Sequence, residues 1–174
     1  AIDADGGGGQ LSSRGIVQIY EYSSNSWSQL GSDINGEADF EQIGASVSLS
    51  NDGTRVAIGS KFAGVNSRGA TRVYDKVTIT TTGTGTKDTG SPITVNISSL
   101  SHALSSGDII KFVGGGVLTL TSSASVSATS LTGNLVTANI TSGENGFIWK
   151  KSSSVRWDIW NWPSYNIAVG CGRS

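Results

Sequence analysis

The densest set of side chains able to do chemistry is acidic: Asp33, Glu37, Asp39 and Glu41 fall within DINGEADFE. Paired carboxylates carry out glycoside hydrolysis, but only at a defined separation across a sugar. Linear sequence fixes no such distance, and the segment is weighed first as a solvated loop. His102 is the only histidine. A nucleophile and an orienting partner would have to accompany it, and no GxSxG elbow exists. Nor are there cysteines or carboxylates at zinc-ligand spacing around it. Its place before Ser105-Ser106-Gly107-Asp108 is explained by turn structure. Asp3 and Asp5 precede Gly6–Gly9 and invite comparison with calcium loops, which need further oxygen ligands and a distal Glu that are missing. No catalytic residue, cofactor or metal is therefore expected, and the chain reads as a non-enzyme.

Four of the five tryptophans lie near the C-terminus, at Trp149, Trp157, Trp160 and Trp162. Trp160 and Trp162 share one strand face by period, while Trp157 and Ile159 share the other. Tryptophan is enriched at contact hot spots, and these four are the interface candidates. They serve equally well as core residues of a small Gly-rich β protein, and a glycan platform is a third use. Cys171 is the only cysteine, so no intrachain disulfide can form; it reads as a small buried residue, with an intersubunit bridge as the alternative.

The elements that position these residues are strands. Gly is 24, Pro 2 and Met 0, and charged residues are 14%, well below the usual value of about a quarter. This composition reads as an all-β, turn-rich, soluble protein. The lack of Met is read as a removed initiator or a processed or truncated N-terminus. With a net charge of −1 and no basic stripe, nucleic acid is not an expected partner. No apolar run approaches the roughly 20 residues that span a bilayer, and no membrane association is expected.

Residues 44–75 are the clearest stretch. GASVSLS and RVAIGS flank Asn51-Asp52-Gly53, whose Asp-Gly step supplies the positive φ of a tight hairpin. Ser46, Ser48 and Ser50 are expected on one side, with Val47 and Leu49 in a buried set that Val56 and Ile58 continue. Residues 70–74 give a third strand. IVQIYEY and Trp27–Leu30 form an earlier hairpin, with Trp27 expected in the core. Ser13-Arg14-Gly15 followed by a strand ending in Tyr recurs at Ser67-Arg68-Gly69. The spacing, roughly 50 residues, lies in the range of propeller repeats.

GIVQIYEYSSNSWSQLGSDINGEA followed by GASVSLSNDGTRVAIGS and GATRVYD resembles the β-propeller repeats of large surface proteins from marine bacteria and their phages. That resemblance covers residues 1–75 and implies a four-stranded blade scaffold without a particular activity. A propeller needs about 4–8 blades, so one blade implies a fragment or recruitment into another assembly.

At residues 76–92 Thr and Gly dominate, and a linker is expected there, with one strand at 77–82 and a flexible stretch ending at Pro92. Beyond it, strands are expected at 93–98, 109–113, 117–121, 130–135, 147–151, 155–159 and 166–170. Their spacing suits a small β-sandwich or barrel module over 93–174. SSLSHALSSGDIIKF followed by GGGVLTLTSSASVSATSLTGNLVTANITSGENGF is similar to a module of tailed-phage virion proteins, over about residues 93–147. That likeness implies an exterior virion component, a capsid decoration or knob-like protein of a phage infecting a marine cyanobacterium. Capsid or tail proteins are the expected partners, in a homo-oligomer or on a lattice. The alternative is a tail-fibre or receptor-binding module that contacts host surface polysaccharide.

Overall fold

The computed structural model describes residues 13–87 and 91–157. Asp3, Asp5, Trp160, Trp162, Cys171 and the strand expected at 166–170 lie outside them. The described chain is all-β. Its first strands are β1 (Ile16–Val17), β2 (Tyr20–Ser23), β3 (Ser26–Gln29), β4 (Ile34–Asn35), β5 (Ile43–Leu49), β6 (Arg55–Ser60) and β7 (Ala70–Thr80). They are followed by β8 (Ile93–Asn96), β9 (Ile109–Phe112), β10 (Val117–Leu120), β11 (Ser130–Val136) and β12 (Asn145–Trp157). Eight of them form one antiparallel sheet in the order β5-β6-β7-β12-β9-β10-β11-β8. The pairs β1–β4 and β2–β3 are separate two-stranded ribbons.

The hairpin at Asp52-Gly53 forms as its sequence dictates. Gly53 takes φ +66°, and its N–H donates to the Ser50 carbonyl at 2.9 Å. The Asp52 carboxylate staples the turn, accepting from the Ser50 hydroxyl at 2.6 Å and the Thr54 hydroxyl at 2.8 Å.

Strands on either side of the change in composition at Asp75 share one sheet. A single strand, β7, runs through residues 70–80, across the change in composition at Asp75. The 13-residue β12 pairs with β7 along most of its length and with β9 at Gly146–Phe147. The two strands expected at 147–151 and 155–159 are, as far as Trp157, therefore one, with an irregularity between Lys151 and Arg156. The sheet closes into neither a barrel nor a propeller. Its last strand is met at one end by residues just beyond β7, through the isolated bridge Thr81–Ile97. The Thr82 N–H donates to Asn96 O at 2.9 Å, and the Ser98 N–H donates to Thr80 O at 2.7 Å. Residues 80–87 are bonded into the body at several further points, including Gly85 with Ile140.

Two apolar clusters form, one on each face of the β7–β12 pair. Val77 and Ile79 face one side with Ile148, among Val95, Ile110, Leu118, Leu131, Leu135 and Ile140. Tyr74 and Trp149 face the other, with Val17, Ile34, Ile43, Val56 and Ile58. Side chains alternate along a strand, so neighbours Ile148 and Trp149 enter different cores. Ile148 lies opposite Val77, and Trp149 opposite Lys76.

Candidate interaction surface

The acidic segment is the first candidate for chemistry, and its carboxylates are tied up in structure. Glu41 is 1% exposed. It accepts the backbone N–H groups of Glu37 at 2.5 Å and Ala38 at 3.0 Å, the Ser60 hydroxyl at 3.2 Å, and the Arg72 guanidinium. Two non-glycine residues with positive φ flank it, Phe40 at +61° and Gln42 at +53°. Such backbone is costly and persists where surrounding contacts hold it; here the bend turns Glu41 inward. Glu37 pairs with Arg72 and with Lys151, the latter at 2.7 Å. Asp39 pairs with Arg14 at 2.7 Å. Asp33 accepts the amides of Gln18 and Gln29. The segment pins the chain between β4 and β5 onto β6, β7 and β12. The sequence could not show this, because Arg72 and Lys151 are remote in the chain.

His102 lies beside Ser101, whose hydroxyl is 3.0 Å from Nδ1. Asp108 closes the turn that precedes β9, accepting from the Ser105 N–H at 2.8 Å and from Lys150 Nζ at 2.6 Å. Among the described residues no group of three His, Cys, Asp or Glu side chains is placed to hold a metal.

Trp149 takes the core role rather than the interface role. It is 6% exposed, and its indole N–H donates to the Leu30 carbonyl at 2.8 Å. Gly31 lets the ring approach: a Cβ there would lie 3.0 Å from the indole Cδ1. Trp157 ends β12 opposite Thr71.

Two shallow clefts flank Lys111, whose Nζ donates to Gln29 Oε1 at 2.9 Å. One, of about 380 Å³, lies between the β2–β3 ribbon and the β9–β10 turn. The other, of about 360 Å³, is lined by Asp33, Asn35, Asp108 and Trp149. Neither brings two carboxylates together free of cation or amide partners: Asp33 is held by the two glutamine amides and Asp108 by Lys150.

Large apolar side chains also face solvent, and most of those among the described residues lie in residues 13–75. Val47 is 60% and Leu49 53% exposed, although both were expected in the core. They lie opposite Ile58 and Val56 and so share their face of the sheet. The β1–β4 ribbon reaches over β6 and the start of β5, where Val17 packs near Gly44. It leaves the outer part of β5 uncovered. Trp27, also expected in the core, is 68% exposed. On the β2–β3 ribbon Trp27 lies opposite Tyr22, with ring centroids 5.1 Å apart, and Tyr20 shares that face. Tyr20 and Tyr22 direct their hydroxyls to Gln18 and Asn25.

Sequence reasoning missed Val47, Leu49, Tyr20 and Tyr22 as surface residues. Alternation shows which residues share a face, but not whether another layer covers that face. One signal was present: from Ile43 to Leu49 the strand carries no charge. No family model, no curated protein and no solved structure matches the chain.

Proposed function

We propose that this chain is a non-enzymatic structural protein on the exterior of a tailed-phage virion, a capsid decoration or knob-like protein that works by docking. One observation carries the docking part: large apolar side chains stand exposed on the blade-like half, along β5 and the β2–β3 ribbon. Large apolar side chains grouped on an exposed face mark contact sites in soluble proteins. A single blade cut from a ring leaves such a face. In this reading residues 1–75 derive from a propeller-type repeat and residues 93–174 from a second β module, and the described strands of the two share one sheet. The virion assignment rests on resemblance of the two halves to phage surface repeats and virion modules.

Antibody labelling of intact particles tests the assignment. Labelling over the whole head is expected. Particles purified to homogeneity that carry none of the chain would remove it.

A second reading has its own observation. Tyr20, Tyr22 and Trp27 display aromatic rings on one face, bordered by the amide side chains of Gln18 and Asn25. Rings beside amides suit a neutral sugar, which stacks its C–H face and bonds its hydroxyls. This favours a receptor-binding module for host polysaccharide. Tail-tip labelling, with glycan-array binding lost on Trp27→Ala, would select it over head decoration.

A further inference from the structure

We propose that β5 is a self-pairing edge: two copies of this chain join antiparallel along β5, about a two-fold axis through Ser48, and merge their sheets. The eight-stranded sheet has two outer strands. One, β8, is met by residues 80–82. The other, β5, is flanked on its outer side, among the described residues, only at its start, where Ser13 O and Arg14 O accept from the Gln42 and Ile43 N–H groups. Soluble proteins protect such edges with Lys, Pro, charge or bulges. This one has a bulge between Ile43 and Ser46 and no charge or proline after it.

Hydrogen-bond parity sets the register. The Ser50 N–H donates to Arg55 O at 2.8 Å, so this is a bonded pair, and by alternation Ser48 with Ala57 is the next. Val47 and Leu49 therefore turn their N–H and C=O groups away from β6, toward the open edge. The bulge takes Ala45 out of the regular edge, leaving Val47 and Leu49 as its outward-bonding residues. The register that uses both is centred on Ser48. It sets Val47 opposite Leu49 of the second copy, and Leu49 opposite Val47, with about four new backbone hydrogen bonds. The same register gathers the exposed Val and Leu side chains of both copies on one face. Ser46, Ser48 and Ser50 gather on the other, so no like charges meet. A closed two-fold pairing of this kind is the commonest route to a homodimer.

The proposal depends on the docking reading only in treating β5 as a protein-binding edge. Particle labelling can fail while the dimer stands, and the reverse.

The test uses the full chain in a Cys171→Ser background, so that an introduced cysteine is the only thiol. Ser48→Cys is expected to cross-link to itself under mild oxidation, because the axis brings the two positions face to face. Ser46→Cys alone is expected not to, but to cross-link when mixed with Ser50→Cys. Sedimentation over the micromolar range should show a monomer–dimer equilibrium. Ser48→Lys, an exposed substitution that sets two ammonium groups on the axis, should weaken it by more than about tenfold. A monomer at every concentration would overturn the proposal. So would a dimer indifferent to Ser48→Lys, or Ser46→Cys cross-linking with Ser48→Cys, which marks another register. Slow amide exchange of Val47 and Leu49 in a monomer would also overturn it, by showing that the chain covers its own edge.

Discussion

Replacing Trp149 separates a core role from a contact role. In Trp149→Phe the ring still fills most of the space beside Val17, Ile34 and Tyr74, but the indole N–H is gone. Leu30 O loses its 2.8 Å partner inside a covered site, and an unsatisfied buried carbonyl costs about 1–3 kcal/mol. The smaller ring gives up a further ~1 kcal/mol of buried apolar surface. The expected loss is about 2–3 kcal/mol, and Trp149→Ala should lose about 3–5 kcal/mol. Against a total stability of about 5–15 kcal/mol, the first variant still folds. Urea unfolding followed by far-ultraviolet circular dichroism measures the loss, without relying on the fluorescence of the removed ring. Particle binding or self-association, measured on the folded Phe variant, should be unchanged. If Trp149→Phe unfolds within about 0.5 kcal/mol of the parent and yet abolishes association, the burial argument is wrong and the indole is a contact residue.

Further outcomes follow from the same geometry. Glu41→Gln should cost about 3 kcal/mol, because Arg72 loses its buried partner; combining it with Arg72→Leu should recover part of that loss in a double-mutant cycle, and additive losses would refute the coupling. Gly15→Ala should destabilise by more than about 1 kcal/mol in the same urea assay, since Gly15 sits at φ +73° and a Cβ would overlap the Ile43 carbonyl. Acid should destabilise the fold. Hydrogen bonds from Ser50 and Thr54 hold Asp52 at about 2. At Asp75 burial pushes upward, but hydrogen bonds from Arg55 and Ser152 outweigh it and the carboxyl is lowered. Both folded values lie below the unfolded value of 3.8. Their contribution is thus present above that value and lost as pH falls through the folded ones. In alkali the sign reverses. Burial raises Tyr74 from 10.0 to about 12, so its contribution is present below pH 10 and lost as pH rises toward 12. Melting temperature against pH should therefore fall at both ends, and a rise on acidification below pH 4 would contradict the carboxylate assignments.

What the sequence made legible was local. The Asp52-Gly53 turn, the alternation of Val56 and Ile58, and the Gly-rich turns between later strands are short-range chemistry, and strands form where they point. Coverage was not legible. Val47 and Leu49 alternate as Val56 and Ile58 do, yet only the inner pair lies under the β1–β4 ribbon. Trp27 has the size of a core residue, but its ribbon turns that face to solvent. The composition change at Asp75 is real in packing terms, since Tyr74 and Val77 belong to different clusters. It does not interrupt the backbone, because a strand can carry one core on each face. The ion pairs of Glu41 and Glu37 join residues from separate strands, and no spacing rule reaches them.

The long pair β7–β12 has a mechanical consequence. Both apolar clusters are mounted on the same two strands. A load applied at one half must pass to the other by shearing that ladder along its length, with many backbone bonds sharing the strain at once. The molecule should therefore answer force like a girder rather than like beads on a string, resisting up to one abrupt failure.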